Sequence, residues 1–126
     1  MIQGIESVYE RIALAMLDEL PSEWKESSVL AVFYEDHIDF ETDFISRDGR
    51  CRSYEGSLEL SQAIRELRQR FKDNCQPVWG QVTFTLKSDF SIKLKFGYDS
   101  LDENGNTIWN IDEYQRRHNE RTSRLN

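Results

Sequence analysis

Hydrophobic residues recur with a helical period in three segments of the chain. They fall every three or four positions over residues 3–20 and 58–74, which is the spacing of an amphipathic helix. Ser57 is the predicted N-cap of the second segment. A more polar third helix is predicted over residues 111–121, with Asn110 as its N-cap. Its expected apolar anchors are Trp109, Ile111 and Tyr114.

Five other segments have the pattern of β-strands. One is a continuous apolar run, and the others alternate apolar and polar residues or are short and polar. The predicted strands are residues 29–34, 37–46, 50–54, 81–87 and 91–98. Asp48-Gly49 and Ser88-Asp89 are turn signals between consecutive strands. The order α-β-β-β-α-β-β-α predicts a single α+β domain over residues 1–126, with an antiparallel sheet of about five strands and helices packed on one face.

The most unusual strand pattern lies in residues 35–44. Here Ile38, Phe40 and Phe44 alternate with Asp39, Glu41 and Asp43. Successive side chains of a strand point to opposite faces, so we expect the apolar residues in the core and the three acids in water. A solvated strand face needs polar residues but not three like charges in a row. The acids are therefore candidates for recognition of a basic partner.

The charge of the chain narrows the classes of partner. The 126 residues carry a net charge of −7, with 14 acids and 5 bases in residues 1–60. This sign disfavours direct binding of nucleic acid or of an anionic membrane. No apolar run approaches the ~18 residues of a membrane span. Glu6 and Glu10 stand where a signal peptide would have a basic start, so we expect a cytoplasmic protein.

Catalytic and metal-binding patterns are weak. Nucleophilic catalysis needs a nucleophile, a base and an orienting group, and the only histidines are His37 and His118. A small enzyme using Asp39 and Glu41, or Cys51 and His37, stays open as an alternative. Residues 99–106 have only a faint likeness to a calcium loop, since Leu101 occupies a ligand-like position. We predict no catalytic residue, no bound metal and no cofactor.

Several motifs together resemble the YezG-like immunity proteins of bacterial polymorphic and contact-dependent toxin systems. The similarity covers roughly residues 5–118, and its motifs are mainly structural. It is carried by Val8-Tyr9-Glu10-Arg11-Ile12, Leu20-Pro21-Ser22-Glu23-Trp24, Gln76-Pro77-Val78-Trp79, the aromatic hairpin of residues 82–99 that ends in Tyr98-Asp99, and Trp109 with Tyr114.

This resemblance implies a stoichiometric inhibitor rather than an enzyme. Such a protein would bind the C-terminal toxin domain of a cognate effector, often a nuclease, whose basic substrate groove suits an acidic inhibitor. The candidate toxin-binding residues are Tyr34, Glu35, Asp36, Asp39, Glu41, Asp43, Tyr54, Asp99, Asp102, Glu103 and Trp109. An acidic adaptor or regulatory domain without a toxin partner is the alternative, and a monomer and a weak dimer are both compatible with the sequence.

Overall fold

The computed structural model describes residues 2–125, which form three helices and one sheet. The helices are α1 (Ile5–Leu17), α2 (Leu58–Asp73) and α3 (Ile111–Arg124). The strands are β1 (Trp24–Phe33), β2 (Ile38–Ser46), β3 (Cys51–Ser53), β4 (Gln81–Lys87) and β5 (Ile92–Gly97). The predicted α+β class and the order α-β-β-β-α-β-β-α are confirmed.

The sheet is antiparallel throughout and has the strand order β3-β2-β1-β4-β5. The central strand β1 places Leu30 between Glu41 of β2 and Thr83 of β4. It begins at Trp24, five residues before the predicted start at Val29. The polar residues Glu26, Ser27 and Ser28 hid this first half, because they interrupt the apolar run that predicted the strand.

The hydrophobic core lies between one face of the sheet and the helices α1 and α2. Its fully buried residues include Val8, Ile12 and Met16 of α1, Leu60, Ile64 and Leu67 of α2, and Val29, Ala31 and Phe84 of the sheet. Burial of each large apolar side chain contributes about 1.5–3 kcal/mol. Trp79 is also fully buried and makes edge-to-face contacts with Phe33 and Phe71, at ring distances of 5.5 and 5.8 Å. This side of the sheet is therefore held by apolar packing.

Side-chain caps fix the starts of two helices, as predicted. The Ser57 hydroxyl accepts a hydrogen bond from the Leu60 N–H at 3.1 Å, and the Asn110 side chain accepts one from the Glu113 N–H at 3.1 Å. The third helix continues to Arg124 rather than ending at residue 121. None of the helices in the described part of the chain combines the length and the apolar character that crossing a bilayer requires.

The third helix corrects one part of the predicted architecture. The expectation that helices pack on one face holds for α1 and α2, but α3 lies against the opposite face, where it contacts Glu41 and Asp43 of β2. Its expected apolar anchors are mostly exposed, at 50% for Trp109, 60% for Ile111 and 40% for Tyr114. The helix is attached to the sheet through arginines instead.

Candidate interaction surface

The three acids of β2 form one row on the sheet face opposite the core, as their alternation predicted. Their side chains are only partly exposed, at 32% for Asp39, 19% for Glu41 and 13% for Asp43. The expectation that the row points into water is therefore wrong. We call Asp39, Glu41 and Asp43 the carboxylate row.

The carboxylate row is covered by two arginines of α3. The Arg117 guanidinium lies 3.6 Å from Glu41 and 3.9 Å from Asp39, and the Arg121 guanidinium lies 2.7 Å from Asp43. Residues four apart on a helix project from the same side, so both arginines reach the row together. Three carboxylates thus meet two cations, which removes most of the negative charge that the row would present to a partner.

Tyr34 belongs to the same contact. Its hydroxyl accepts a hydrogen bond from Arg117 at 3.2 Å, and its ring stacks on His37 at 4.8 Å. Burial acts to lower the pKa of Arg117, but the hydrogen bond to Tyr34 and the charges of Glu41 and Asp39 raise it overall. Because Tyr34 is 7% exposed, it acts here as an internal support rather than an exposed aromatic anchor.

The turn that follows β1 is exposed and acidic. Glu35 and Asp36 both lie on the surface, and the Asp36 carboxylate is 2.6 Å from the His37 Nδ1. That hydrogen bond, followed by one from the backbone, holds the pKa of Asp36 below its ordinary value. The turn forms one wall of a groove of about 610 Å³, and Arg65 and Lys72 of α2 line the other wall. The groove is therefore mixed in charge.

The loop after β5 has a structural acid and an exposed one. The Asp102 carboxylate accepts hydrogen bonds from the backbone N–H groups of Asn104 and Asn106, both at 2.9 Å. It therefore orders the loop, in the manner of an Asx turn. Glu103 is exposed at the tip of the loop. Asp99 is exposed on the side that faces α3.

A buried arginine ties this loop to the core. Arg68 of α2 is 6% exposed and donates to the Trp79 carbonyl at 3.0 Å, to the Gly105 carbonyl at 2.7 Å and to the Asn106 side chain at 3.0 Å. Its guanidinium also lies 4.6 Å above the centre of the Phe33 ring. Burial lowers the pKa of Arg68, and the negative charge of Asp102 opposes that shift.

An open cleft of about 820 Å³ separates α3 from β4, β5 and the start of the loop after β5. Acids line it from both sides, with Asp99 on the loop and Asp112 on the first turn of α3, and the bases Lys95 and Arg116 line it as well. Large apolar side chains are exposed along the same segment, with Ile108 at 56% in addition to Trp109, Ile111 and Tyr114. The rings of Trp109 and Tyr114 are 6.0 Å apart. We call Asp99, Ile108, Trp109, Asp112 and Tyr114 the cleft surface.

The remaining predicted contact residue, Tyr54, is half-buried at the edge of the core. Tyr54 packs on Phe44, with ring centres 6.1 Å apart, and its hydroxyl shares a hydrogen bond of 2.9 Å with Ser27. Burial raises the pKa of Tyr54, although the hydrogen bond to Ser27 opposes the shift. Its environment is that of a core tyrosine with a satisfied hydroxyl.

The geometry does not support the enzymatic alternatives. His37 precedes the first residue of β2, whereas Cys51 pairs with Ile45 near the other end of that strand. The two side chains are thus separated by about 25 Å of strand, at ~3.3 Å per residue. Asp39 and Glu41 both contact the Arg117 guanidinium, at 3.9 and 3.6 Å. Within residues 2–125, no group of histidines, cysteines and acids has the arrangement of a metal site.

Sequence reasoning missed the three arginines that organise these surfaces. Arg117 and Arg121 had a detectable signal, because their i, i+4 spacing matches a row of acids that needs a counter-charge. Arg68 had none, since one arginine among several on α2 gives no sign that it is buried.

The fold is that of a small α+β domain. Comparison with known families gives its membership: the model of the family described as immunity protein YezG-like matches residues 51–120. This match spans more than half of the chain, which therefore belongs to the YezG-like immunity proteins. No curated protein matches the chain. The matched region includes the cleft surface, Arg68 and Arg117, but not the carboxylate row.

Proposed function

We propose that this immunity protein neutralises the C-terminal toxin domain of a cognate effector by direct binding, and that the toxin is a basic nuclease. The family supports a role in immunity, which requires a toxin as partner. The net charge of −7 supports a basic one. A nuclease has to present a positive groove to its substrate, so an acidic inhibitor can bind in or beside that groove.

The cleft surface is the observation that carries this proposal. It places the exposed acids Asp99 and Asp112 in one cleft with the exposed ring of Tyr114, which lies 6.0 Å from the ring of Trp109. Aromatic side chains dominate the energy of many protein interfaces, while charges on the rim steer association. The carboxylate row is less suited to a first encounter, because the arginines of α3 already contact it.

The size of a workable interface fits this surface. A stable complex buries on the order of 1,200–2,000 Å² in total, shared between the two partners. The exposed first half of α3, the segment before it and the loop after β5 lie around one cleft and can contribute together. A basic toxin would place lysines or arginines against the acids and an apolar contact against Trp109.

The test is binding and inhibition with the toxin domain encoded beside this protein. We expect a tight complex, inhibition of nuclease activity at equal amounts of the two proteins, and an association rate that falls as salt is added. Trp109→Ala should weaken the complex by about tenfold or more, as expected of an aromatic hot spot. Asp99→Asn with Asp112→Asn should mainly slow association.

The matched control is Phe90→Ala. Phe90 is also an exposed aromatic residue, at 66%, but lies in the turn at the other end of the β4–β5 hairpin from the cleft. We expect this variant to bind like the unmodified protein. Equal losses for Trp109 and Phe90 would remove the cleft surface from the interface. A neighbouring toxin that neither binds nor is inhibited would instead favour the acidic adaptor.

A further inference from the structure

The third helix is attached to the protein in an unusual way. No side chain of α3 is fully buried, whereas α1 buries four residues and α2 buries five. Its polar contacts with the rest of the described chain are the ion pairs of Arg117 and Arg121 with the carboxylate row and the hydrogen bond from Arg117 to Tyr34. Such contacts are weakened by salt, unlike the apolar packing that holds α1 and α2.

Hydrogen bonds fix the chain up to Ile108, two residues before the N-cap of α3. The Thr107 N–H donates to the Phe33 carbonyl at 2.7 Å, and the Thr107 hydroxyl donates to the Gly80 carbonyl at 3.0 Å. The Ile108 N–H donates to the Ser100 carbonyl at 2.8 Å. Irregular chain follows at Trp109 before the helix begins. A hinge at residues 109–110 would let α3 lift while the sheet and the adjoining loop keep their structure.

Lifting α3 would uncover a row of acids that needs a counter-charge. Asp39, Glu41 and Asp43 alternate along β2, so their side chains are about 6.6 Å apart, at ~3.3 Å per residue. Such a row of like charges is unfavourable without cations beside it. The half-buried Leu30, paired with Glu41 across the strands, would be uncovered with them. Only a partner that supplies positive charge can replace the helix.

We propose that α3 is an electrostatic strap that occupies the carboxylate row in the free protein and gives way to a basic helix of the partner. The helix that the row accepts carries two cations one turn apart, because that is how Arg117 and Arg121 meet it. That this partner is the toxin rests on the proposed function. The strap itself is a property of the free chain and can be tested without the toxin.

The first experiment is hydrogen exchange of the unmodified protein at low and high salt, about 0.02 M and about 0.5 M NaCl. We expect exchange of the α3 amides to accelerate by about tenfold at high salt, since the ion pairs are screened. Exchange in α2 should change little, because apolar packing holds it. Salt-independent exchange in α3 would overturn the strap.

The second experiment measures binding of a synthetic peptide with the sequence of residues 110–125. The intact strap competes for the row at an effective concentration in the range of about millimolar, so the unmodified protein should bind the peptide weakly. Arg117→Gln with Arg121→Gln releases the strap, and we expect about tenfold tighter binding of the peptide. Adding Asp39→Asn, Glu41→Gln and Asp43→Asn to that variant should abolish binding.

Arg116→Gln is the matched control. It removes one positive charge from the same helix, but Arg116 pairs with Glu113 and Glu120 within α3 and not with the row. The peptide affinity should stay that of the unmodified protein. Protection of the α2 amides confirms that each variant is folded. Equal peptide binding by the strap variant and the unmodified protein, or binding that survives neutralisation of the row, would overturn the proposal.

These results are separable from the proposed function. If the protein binds and inhibits the toxin, but exchange of α3 does not depend on salt and the row does not bind the peptide, the proposed function stands and the strap is refuted. If α3 opens and the row binds the peptide but no toxin binds, the strap is supported and the toxin is not its partner.

Discussion

The two faces of the sheet are held by different forces. On one face, α1 and α2 bury apolar residues against β1, β2 and β4. On the other face, α3 contacts β2 through Arg117 and Arg121 and leaves its large apolar side chains exposed. Apolar burial is large, cooperative and insensitive to salt, whereas partly exposed ion pairs contribute about 0–1 kcal/mol each. One face therefore stabilises the fold, and the other can change without unfolding it.

This difference shows how one small domain can be both rigid and adaptable. An immunity protein has to keep its fold while it fits a particular toxin. Placing the adaptable contacts on a separate face leaves the core unaffected by changes in the binding surface. If the two faces differ as their contacts indicate, substitutions on the apolar face should cost far more stability than substitutions on the polar face.

The largest effect should come from a cavity on the apolar face. Leu67→Ala removes a fully buried side chain of α2, and we expect the free energy of unfolding to fall by about 2–5 kcal/mol. Urea denaturation measures this loss. Leu58→Ala is the control, since Leu58 lies on the same helix but is 68% exposed, and it should cost far less. Similar losses for the two variants would contradict the proposed role of α2 in the core.

A buried polar contact on the same face should follow. Arg68→Leu keeps the apolar part of the side chain but leaves the carbonyls of Trp79 and Gly105 without their donor. We expect the free energy of unfolding to fall by about 2–4 kcal/mol in urea denaturation. Arg65→Leu, at an exposed position of the same helix, should stay within about 0.5 kcal/mol. Equal losses in the free energy of unfolding for Arg65→Leu and Arg68→Leu would mean that the loss of charge, and not the loss of buried hydrogen bonds, causes the destabilisation.

Arg68 also shows where reading the sequence reaches its limit. The sequence predicted all eight elements, most of them through hydrophobic periodicity, since apolar residues have to face a core whatever the partner is. It predicted the capping roles of Ser57 and Asn110 from residue type alone. It could not predict which arginine of α2 is buried, because this depends on carbonyls 11 and 37 residues away along the chain.

The candidate surface was harder to predict than the fold, for a similar reason. Alternation placed the carboxylate row on the correct face of β2. Whether that face is covered depends on α3, whose apolar residues suggested packing through Trp109 and Tyr114. The contact is made instead by Arg117 and Arg121, which lie about one and two turns further along the same side of the helix as Tyr114. Charge complementarity over some 80 residues carries no local pattern, so only the folded chain brings the arginines and the row together.

A smaller effect should come from the tyrosine of the apolar face. Tyr54→Phe removes the hydrogen bond to Ser27, and we expect a loss of about 1 kcal/mol in urea denaturation near neutral pH. Because the pKa of Tyr54 is raised in the folded state, its contribution is complete below the ordinary pKa of about 10 and declines as the pH rises above it.

The difference between this variant and the unmodified protein should therefore shrink in alkali. Tyr98→Phe is the control, since Tyr98 is 48% exposed and its hydroxyl should contribute little to stability. A difference that is constant from neutral to strongly alkaline pH would show that the hydroxyl of Tyr54 does not need its proton in the folded state.

The smallest effect should come from the polar face. Asp43→Asn and Arg121→Gln, made singly and together, isolate the coupling across the 2.7 Å contact between α3 and β2. We expect about 0.5 kcal/mol at low salt and less at high salt, since both groups remain partly accessible to water. Hydrogen exchange of the α3 amides is the measurement that matters, because a helix that opens locally does not register in global unfolding.

Comparison of this exchange with urea denaturation decides between two arrangements. If α3 is a separate unit, the double-mutant cycle changes its exchange while the free energy of global unfolding stays nearly constant. A coupling above about 2 kcal/mol that appears equally in both measurements would mean that α3 unfolds only with the core. The two faces would then form one cooperative structure, and the carboxylate row would be a stabilising contact rather than a surface that a partner can reach.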